Sequence, residues 1–183
     1  RQAREAVRNL RQIVRFDVDD PAGSLEVIAG DMPGAFTARF GPDSMLYVTD
    51  RAGFTIQQLD PDSGSHSTVV ELDFGPDNLA FAPNGALVIT SYTDGLVAVS
   101  MPDGTVQTVV PGGLIVPAGI AVVPRSDGES VFVGNLFSLR EYDGSTGAVR
   151  SVERFRFGVA GFAGAMSASG DDGELVLSTF FPP

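Results

Sequence analysis

A block of about a dozen residues recurs along this chain at a constant spacing. Phe40, Phe81 and Val122 occupy the same position in successive copies, 41 residues apart. Each copy consists of an apolar segment, a turn rich in Pro, Asp, Asn and Gly, and a second apolar segment. A fixed period of roughly 20–50 residues indicates a repeat architecture, in which one supersecondary unit is stacked several times. The copies are residues 38–49, 80–90, 121–134 and, more diverged, 166–178.

The segments between these copies also alternate short apolar strands with turn residues. Asp-Gly and Asn-Gly clusters favour tight hairpins because they supply the positive φ that such turns need. We name the four strands of one repeat a, b, c and d, and predict the order c-d, then a-b-c-d three times, then a-b. The predicted strands are 13–18, 24–28, 36–40, 45–49, 54–59, 67–72, 79–81, 86–90, 96–100, 106–110, 120–123, 130–133, 138–142, 148–152, 165–168 and 174–178.

The b strands carry the strongest fold signal. In Leu46–Val48, Leu87–Ile89 and Val131–Val133 the apolar residues are continuous, which is typical of strands buried on both faces. Four-stranded antiparallel sheets of this kind, repeated every 41 residues or so, predict an all-β fold, a β-propeller. A β-sandwich would also contain short strands, but it would not produce the repeat.

The sixteen predicted strands are enough for about four blades of four strands each. The terminal half-blades could pair and close a four-bladed ring, or the chain could be part of a larger, six-bladed ring, which we favour. Two copies of the chain could also form one ring as a homo-oligomer. Residues 1–12 are predicted as a short helical lead-in, with Ala3, Val7 and Leu10 at helical spacing, and residues 13–183 as a single propeller domain.

Composition narrows the classes of partner. The chain of 183 residues has 23 acidic and 12 basic side chains and a net charge of −11, which opposes binding to a phosphate backbone and argues against a nucleic-acid partner. It has no cysteine, so disulfides and thiolate chemistry are excluded. No apolar run approaches the roughly 18 residues of a membrane-spanning helix. The chain starts at Arg1 rather than Met, which fits a soluble protein, secreted or periplasmic, whose signal was removed, or an excised piece.

Three motifs resemble a known superfamily. Gly41 to Asp50 and Pro83 to Ser91 are similar to the Pro-Asp-Gly-x-Leu-Tyr-Val signature of NHL-type and SMP-30/gluconolactonase-like β-propellers, and Val116 to Val122 resembles the start of their a strand. The resemblance covers about residues 13–180. It implies the propeller fold, but the superfamily includes hydrolases, lyases and binding modules, so it does not choose among functions.

The resemblance also implies where a cation would bind. In lactonase-like relatives, residues at the start of the a strands ligate a divalent cation, and the matching positions here are Phe36, Asp77, Ala118 and Ala163. Only Asp77, followed by Asn78, offers oxygen ligands, whereas Ca²⁺ takes about six to eight. A metal-dependent hydrolase is therefore the alternative function, with Ca²⁺ or Zn²⁺ held by Asp77, Asp50 and Asn135.

The positions that directly follow the b strands are polar in all four copies. They are Asp50, Ser91, Asn135 and Thr179. These side chains either satisfy backbone groups at the strand ends or form a polar ring at the axial mouth, with Arg51 and Tyr92 at its rim. The second interpretation predicts a binding module for a protein or a small polar molecule. The single histidine, His66, follows a c–d turn and is predicted to lie away from this mouth.

Overall fold

The computed structural model describes residues 12–136, 138–154, 163–169 and 174–179. Every regular element in this part of the chain is a β-strand. The sixteen predicted strands are confirmed, although several bounds move by one to three residues. The predicted helical lead-in lies outside the described residues except for Gln12. The strands are β1 (Ile13–Arg15), β2 (Glu26–Ala29), β3 (Ala35–Phe40), β4 (Leu46–Asp50), β5 (Thr55–Leu59), β6 (His66–Glu71), β7 (Asn78–Phe81), β8 (Leu87–Ser91), β9 (Leu96–Ser100), β10 (Val106–Val110), β11 (Pro117–Arg125), β12 (Gly128–Asn135), β13 (Ser138–Asp143), β14 (Val149–Arg154), β15 (Ala163–Ser169) and β16 (Glu174–Thr179).

The strands form antiparallel meanders in the predicted a-b-c-d order, grouped into two compact units. The first unit extends to Asp73 and contains the two-stranded sheet β1-β2 and the four-stranded sheet β3-β4-β5-β6. The second unit begins at Phe74 and contains the sheets β7-β8-β9-β10, β11-β12-β13-β14 and β15-β16. Each four-stranded sheet therefore corresponds to one copy of the sequence repeat.

The b strands are the most deeply buried elements, as predicted. Every residue of β8 is buried. In β12, Val131 and Val133 pack into the cluster shared with the sheet β7-β10, whereas Phe132 packs with Met166 on the side of β15-β16. Alternate side chains of one strand thus fill two different cores, which explains the continuous apolar sequence. In the first unit, Leu46 and Val48 pack with Leu59.

One turn type recurs with the motif Pro-Asx-Gly or Pro-Asp-Ser. In the a–b turn after β7, the Ala82 amide donates to the Ala86 carbonyl (2.8 Å), and the Asn84 side chain accepts the Ala86 amide (2.9 Å). The same pattern closes the turns at 41–45 and 101–105. Gly85 and Gly104 have φ near +85°, where glycine is favoured because it lacks a Cβ.

A second, longer turn joins c to d in two of the sheets. Asp60 and Asp143 begin these turns, and each side chain accepts backbone amides two and three residues on. The turns end at Gly64 and Gly147, where φ is 71° and 70°. A Cβ on Gly147 would lie 1.8 Å from the Val109 carbonyl oxygen in β10, and one on Gly64 would lie 2.0 Å from the Ile28 oxygen in β2. Each turn therefore packs its glycine directly on the backbone of the preceding sheet.

Within the described part of the chain, no helix is long and apolar enough to cross a membrane.

Candidate functional site

The predicted site residues lie at one end of their sheets, which we call the loop end. It is the end where each b strand leads into its c strand and where each a strand starts. Asp50 pairs with Ala35 across β3-β4, and Asn135 pairs with Pro117 across β11-β12, which fixes this placement. Asp50 and Arg51 belong to the first unit and the other predicted residues to the second.

Asp50 is engaged by its own loop. Its Oδ1 accepts the amides of Ala52 (3.1 Å) and Gly53 (2.8 Å), so the carboxylate closes the turn after β4. Gly34 lies against this carboxylate, and a Cβ there would overlap Oδ1 at 1.6 Å. The backbone-satisfying interpretation of Asp50 is supported, since the loop is built around its side chain.

Arg51 points to a different part of the same loop end. Its guanidinium lies 4.5 Å from the centre of the Phe36 ring, a cation–π distance. The Phe36 side chain is 52% exposed and Phe54, in the loop after β4, is 49% exposed. The first unit thus presents two aromatic rings and a guanidinium at its loop end.

Ser91 is fully buried and is also used locally. Its hydroxyl donates to Asp94 Oδ2 at 2.6 Å, and the Asp94 amide donates back to Ser91 Oγ at 3.2 Å. This reciprocal pair fixes the loop between β8 and β9. Tyr92, the next residue, is 42% exposed on the outside of that loop.

Asn135 is held by three hydrogen bonds. Its Oδ1 accepts the amide of Ile115, its Nδ2 donates to Ser138 Oγ (3.2 Å), and the Ser138 hydroxyl donates to the Asn135 carbonyl (3.0 Å). Asn135 therefore ties the loop before β11 to the β12–β13 connection. Ile115, held by this bond, is itself 59% exposed. Thr179 ends β16, where it pairs with Ala163.

Asn78 joins two neighbouring sheets of the second unit. Its Nδ2 donates to the Ala118 carbonyl in β11 (2.8 Å), and its Oδ1 accepts the Leu79 amide (2.9 Å). Asp77 precedes it, is 4% exposed, and donates its backbone amide to the Thr90 carbonyl at 2.7 Å. Asn78 acts as a cross-link between β7 and β11, a role that local sequence could not reveal.

Strand pairing corrects one of the predicted positions. Met166 pairs with Leu177 as Leu79 pairs with Ile89, so the residue of β15 that matches Asp77 is Gly164. The prediction that Ala163 matches Asp77 was wrong, because the fourth copy of the repeat is offset by one residue more than its sequence suggested. The correction leaves Asp77 as the only carboxylate of this row.

Two of the three predicted metal ligands, Asp50 and Asn135, are engaged in the loops that carry them. Among the described residues, no three His, Cys, Asp or Glu side chains cluster closely enough to hold a metal ion. Asn135 Oδ1 and Asp50 Oδ1 are already occupied by backbone amides. A hard cation such as Ca²⁺ needs about six to eight oxygens around it, whereas Asp50 and Asn135 use these oxygens to hold their own loops.

The exposed apolar side chains at the loop end were largely missed by the sequence analysis. Tyr92 was expected at the rim, but Phe36 was considered only as a position lacking an oxygen ligand, and Phe54 and Ile115 were not singled out. The available signal was a large apolar residue in a segment of turn residues, where nothing requires burial.

The sequence matches no protein-family model and no curated protein. Solved structures, in contrast, match over most of the chain. A gluconolactonase from Xanthomonas campestris is 19% identical, with a TM-score of 0.72, and the match covers 92% of this chain and 63% of that one. A chain of the nidogen/laminin complex is 16% identical (TM-score 0.71), with 92% and 66% covered. Virginiamycin B lyase from Staphylococcus aureus is 16% identical (TM-score 0.67), with 92% and 56% covered.

These structures are β-propellers of the SMP-30 and NHL type, so the resemblance found in the sequence is confirmed for the fold. At this identity the likeness concerns the fold alone. The chain spans 56–66% of the length of these three solved chains.

Proposed function

We propose that this chain is a β-propeller binding module that recognises a protein partner through exposed side chains at the loop ends of its sheets. The observation that carries the proposal is a contrast between two sets of side chains, which is present in each unit by itself. In the first unit Asp50 is committed to local hydrogen bonds and Phe36 is exposed, and in the second unit Ser91 and Asn135 are committed and Tyr92 is exposed.

A small polar ligand would need polar groups that are ready to exchange hydrogen bonds with it. At the loop ends of the sheets such groups hold the loops instead, and detaching Asn135 from the Ile115 amide would break the bond that fixes the loop before β11. Aromatic and arginine side chains, in contrast, are enriched in protein interfaces and dominate their energetics. The loop end thus suits a protein better than a small polar molecule.

The hydrogen bonds under the exposed residues favour binding in a second way. The loop that carries Tyr92 is closed by the Ser91–Asp94 pair, and Ile115 is fixed through its amide to Asn135. Loops that are already ordered lose less conformational entropy when a partner binds. One of the similar solved structures comes from the nidogen/laminin complex, which gives an instance of this fold in a protein assembly.

The proposal is tested by replacing exposed residues at the two ends of the sheets. We select random peptides on the wild-type chain from a displayed library. We expect each selected peptide to lose more than about tenfold in affinity for either Phe36→Ala or Tyr92→Ala, since hot-spot truncations cost about 2 kcal/mol or more. The measurement is the dissociation constant of each selected peptide by fluorescence polarisation.

The matched control combines Phe40→Ala, on the same strand as Phe36, with Val106→Ala, in the same sheet as Tyr92. Phe40 is 66% exposed at the opposite end of β3, and Val106 is an exposed residue next to a c–d turn. These residues lie away from the loop end, so the control should bind the peptides like the wild type. Peptides that are insensitive to the loop-end substitutions, or that lose affinity for the control, would refute the proposal.

A metal-dependent hydrolase of the gluconolactonase type remains the second candidate, because Asp77 is a buried carboxylate beside Asn78 on the row that the resemblance assigns to ligands. The two functions give opposite results in one experiment. Under the binding-module proposal, adding millimolar Ca²⁺ or Zn²⁺ leaves the melting temperature unchanged, as followed by circular dichroism.

A resident cation would instead stabilise the folded state by mass action. If either ion raises the melting temperature of the wild type and the rise is absent in Asp77→Ala, the hydrolase replaces the binding module as the better account. Asp103→Ala serves as the control, because Asp103 is an exposed turn carboxylate at the other end of its sheet.

A further inference from the structure

The second unit contains a groove at the end of the sheets opposite to the loop end. We call it the turn groove, since it lies where a strands turn into b strands and c strands into d strands. It has a volume of about 390 Å³ and lies between the sheets β7-β10 and β11-β14. This volume is within the range of small-molecule sites, roughly 300–1,000 Å³. Its lining includes Asn84, Val99, Gln107, Val109, Glu129 and Asp143.

One side of the turn groove is apolar. Val99 and Val109 are partly buried, and they pack against the core cluster that includes Val88 and Ala86. The close contact of Gly147 with the Val109 carbonyl brings the 143–148 turn against β10. The apolar wall of the groove is therefore held in place by the core and by the fixed 143–148 turn.

One guanidinium binds two of the three carboxylates of the groove. Arg150 donates from Nη1 to Asp127 Oδ1 (3.1 Å) and from Nη2 to Asp143 Oδ2 (2.6 Å). The other oxygen of Asp143 accepts bonds from the amides and hydroxyls of Ser145 and Thr146. Arg150 first, and then these donors, hold the pKa of Asp143 far below its ordinary value. Both carboxylates are thus already bound by Arg150.

Glu129 is the third carboxylate and differs from the other two. It is half-buried, and among the described residues no side chain or backbone amide donates a hydrogen bond to its carboxylate. Its backbone carbonyl accepts the Gly144 amide (2.9 Å), which fixes the residue beside the 143–148 turn. Partial burial raises the pKa of the Glu129 carboxyl above its ordinary value. The groove therefore contains one partly buried carboxylate to which no described residue donates a hydrogen bond.

We propose that the turn groove binds a small organic ammonium ion with an apolar body. The protonated amine donates to the Glu129 carboxylate, and the carbon skeleton covers Val99 and Val109. Asn84 and Gln107 supply further acceptors at the rim.

Charge and desolvation both favour this occupant over an anion or a neutral molecule. The groove has three carboxylates against the single guanidinium of Arg150, and the chain has a net charge of −11, so its field attracts cations. An ammonium group gives Glu129 the charge-assisted hydrogen bond that no described residue supplies. A neutral alcohol of the same shape could fill the groove but would not compensate the buried charge.

The experiment is a titration of the chain with benzylammonium chloride, followed by amide chemical shifts in NMR. We expect saturable shifts at Gly128 and Gly144, and a dissociation constant that rises about tenfold or more in Glu129→Gln, since hydrogen bonds to charged groups are the stronger ones. Glu153→Gln is the matched control, because Glu153 is exposed on β14 outside the groove. It should bind like the wild type.

Two further ligands separate the contributions of charge and apolar contact. Benzyl alcohol should bind at least tenfold more weakly than benzylammonium if Glu129 provides the recognition, and methylammonium should also bind more weakly if Val99 and Val109 contact the ligand body. Equal affinity for the alcohol, an equal loss in Glu153→Gln, or no shift at Gly128 and Gly144 would overturn the proposal. Tyr92→Ala should leave benzylammonium binding intact, so this result and the peptide experiment fail independently.

Discussion

Replacing Gly147 with alanine should destabilise the second unit by about 3 kcal/mol. Two effects contribute. The left-handed backbone at φ 70° disfavours a residue with a Cβ by roughly 1–2 kcal/mol. The new Cβ would also lie 1.8 Å from the Val109 carbonyl oxygen, and relieving such an overlap against backbone costs roughly 1–3 kcal/mol. The measurement is urea unfolding followed by circular dichroism.

The control is Gly104→Ala, which separates strain from overlap. Gly104 has φ 86° and an open surrounding, with no atom within 4 Å of an added Cβ, so only the backbone term of about 1 kcal/mol is expected. Gly64→Ala should resemble Gly147→Ala, because its Cβ would meet the Ile28 oxygen at 2.0 Å. If Gly104→Ala and Gly147→Ala lose equal stability, the turn does not hold the preceding sheet.

Replacing Asn78 with alanine should lower the free energy of unfolding by about 2 kcal/mol. The substitution removes the donor to the Ala118 carbonyl and the acceptor of the Leu79 amide. Because Asn78 is buried, the groups left without a partner are poorly reached by water, and such losses cost roughly 1–3 kcal/mol each. Differential scanning calorimetry should show a lower melting temperature for this variant.

Asn84→Ala provides the comparison for this effect. Asn84 makes one local bond, to the Ala86 amide, in an exposed turn where water can replace it, so a loss below about 1 kcal/mol is expected. A residue kept only for ligand binding would behave differently, since removing it would leave the melting temperature unchanged or raise it. Either of those results for Asn78→Ala would contradict the cross-link.

The strands could be predicted because their signals are local. Continuous apolar triplets such as Leu87–Ile89 and turns such as Pro83 to Gly85 depend on neighbours in sequence, and the 41-residue period repeats the same signal. The positions of the hairpins were therefore confirmed even where bounds changed. β11 is an example, because it begins at Pro117 rather than at residue 120 through a bulge in its pairing with β12.

The state of the site residues could not be predicted in this way, because it depends on distant partners. Asn78 bonds to a carbonyl 40 residues away, and Asn135 to an amide 20 residues away. The Glu129 carboxylate accepts no hydrogen bond from the described residues, whereas Arg150 binds the other two carboxylates of the groove. Sequence alone shows which residues are polar, but strand pairing decides which of them are already bonded.

The contact of Gly147 with Val109, and that of Gly64 with Ile28, uses backbone atoms and no side chain. When a repeat is duplicated, this backbone contact is duplicated with it. Later substitutions of the surrounding side chains leave the contact in place provided that the glycine is retained. Neighbouring copies can therefore drift apart in sequence without losing their spacing. Selection in such a protein can act on the loops of one copy while the backbone contact between neighbouring copies stays the same.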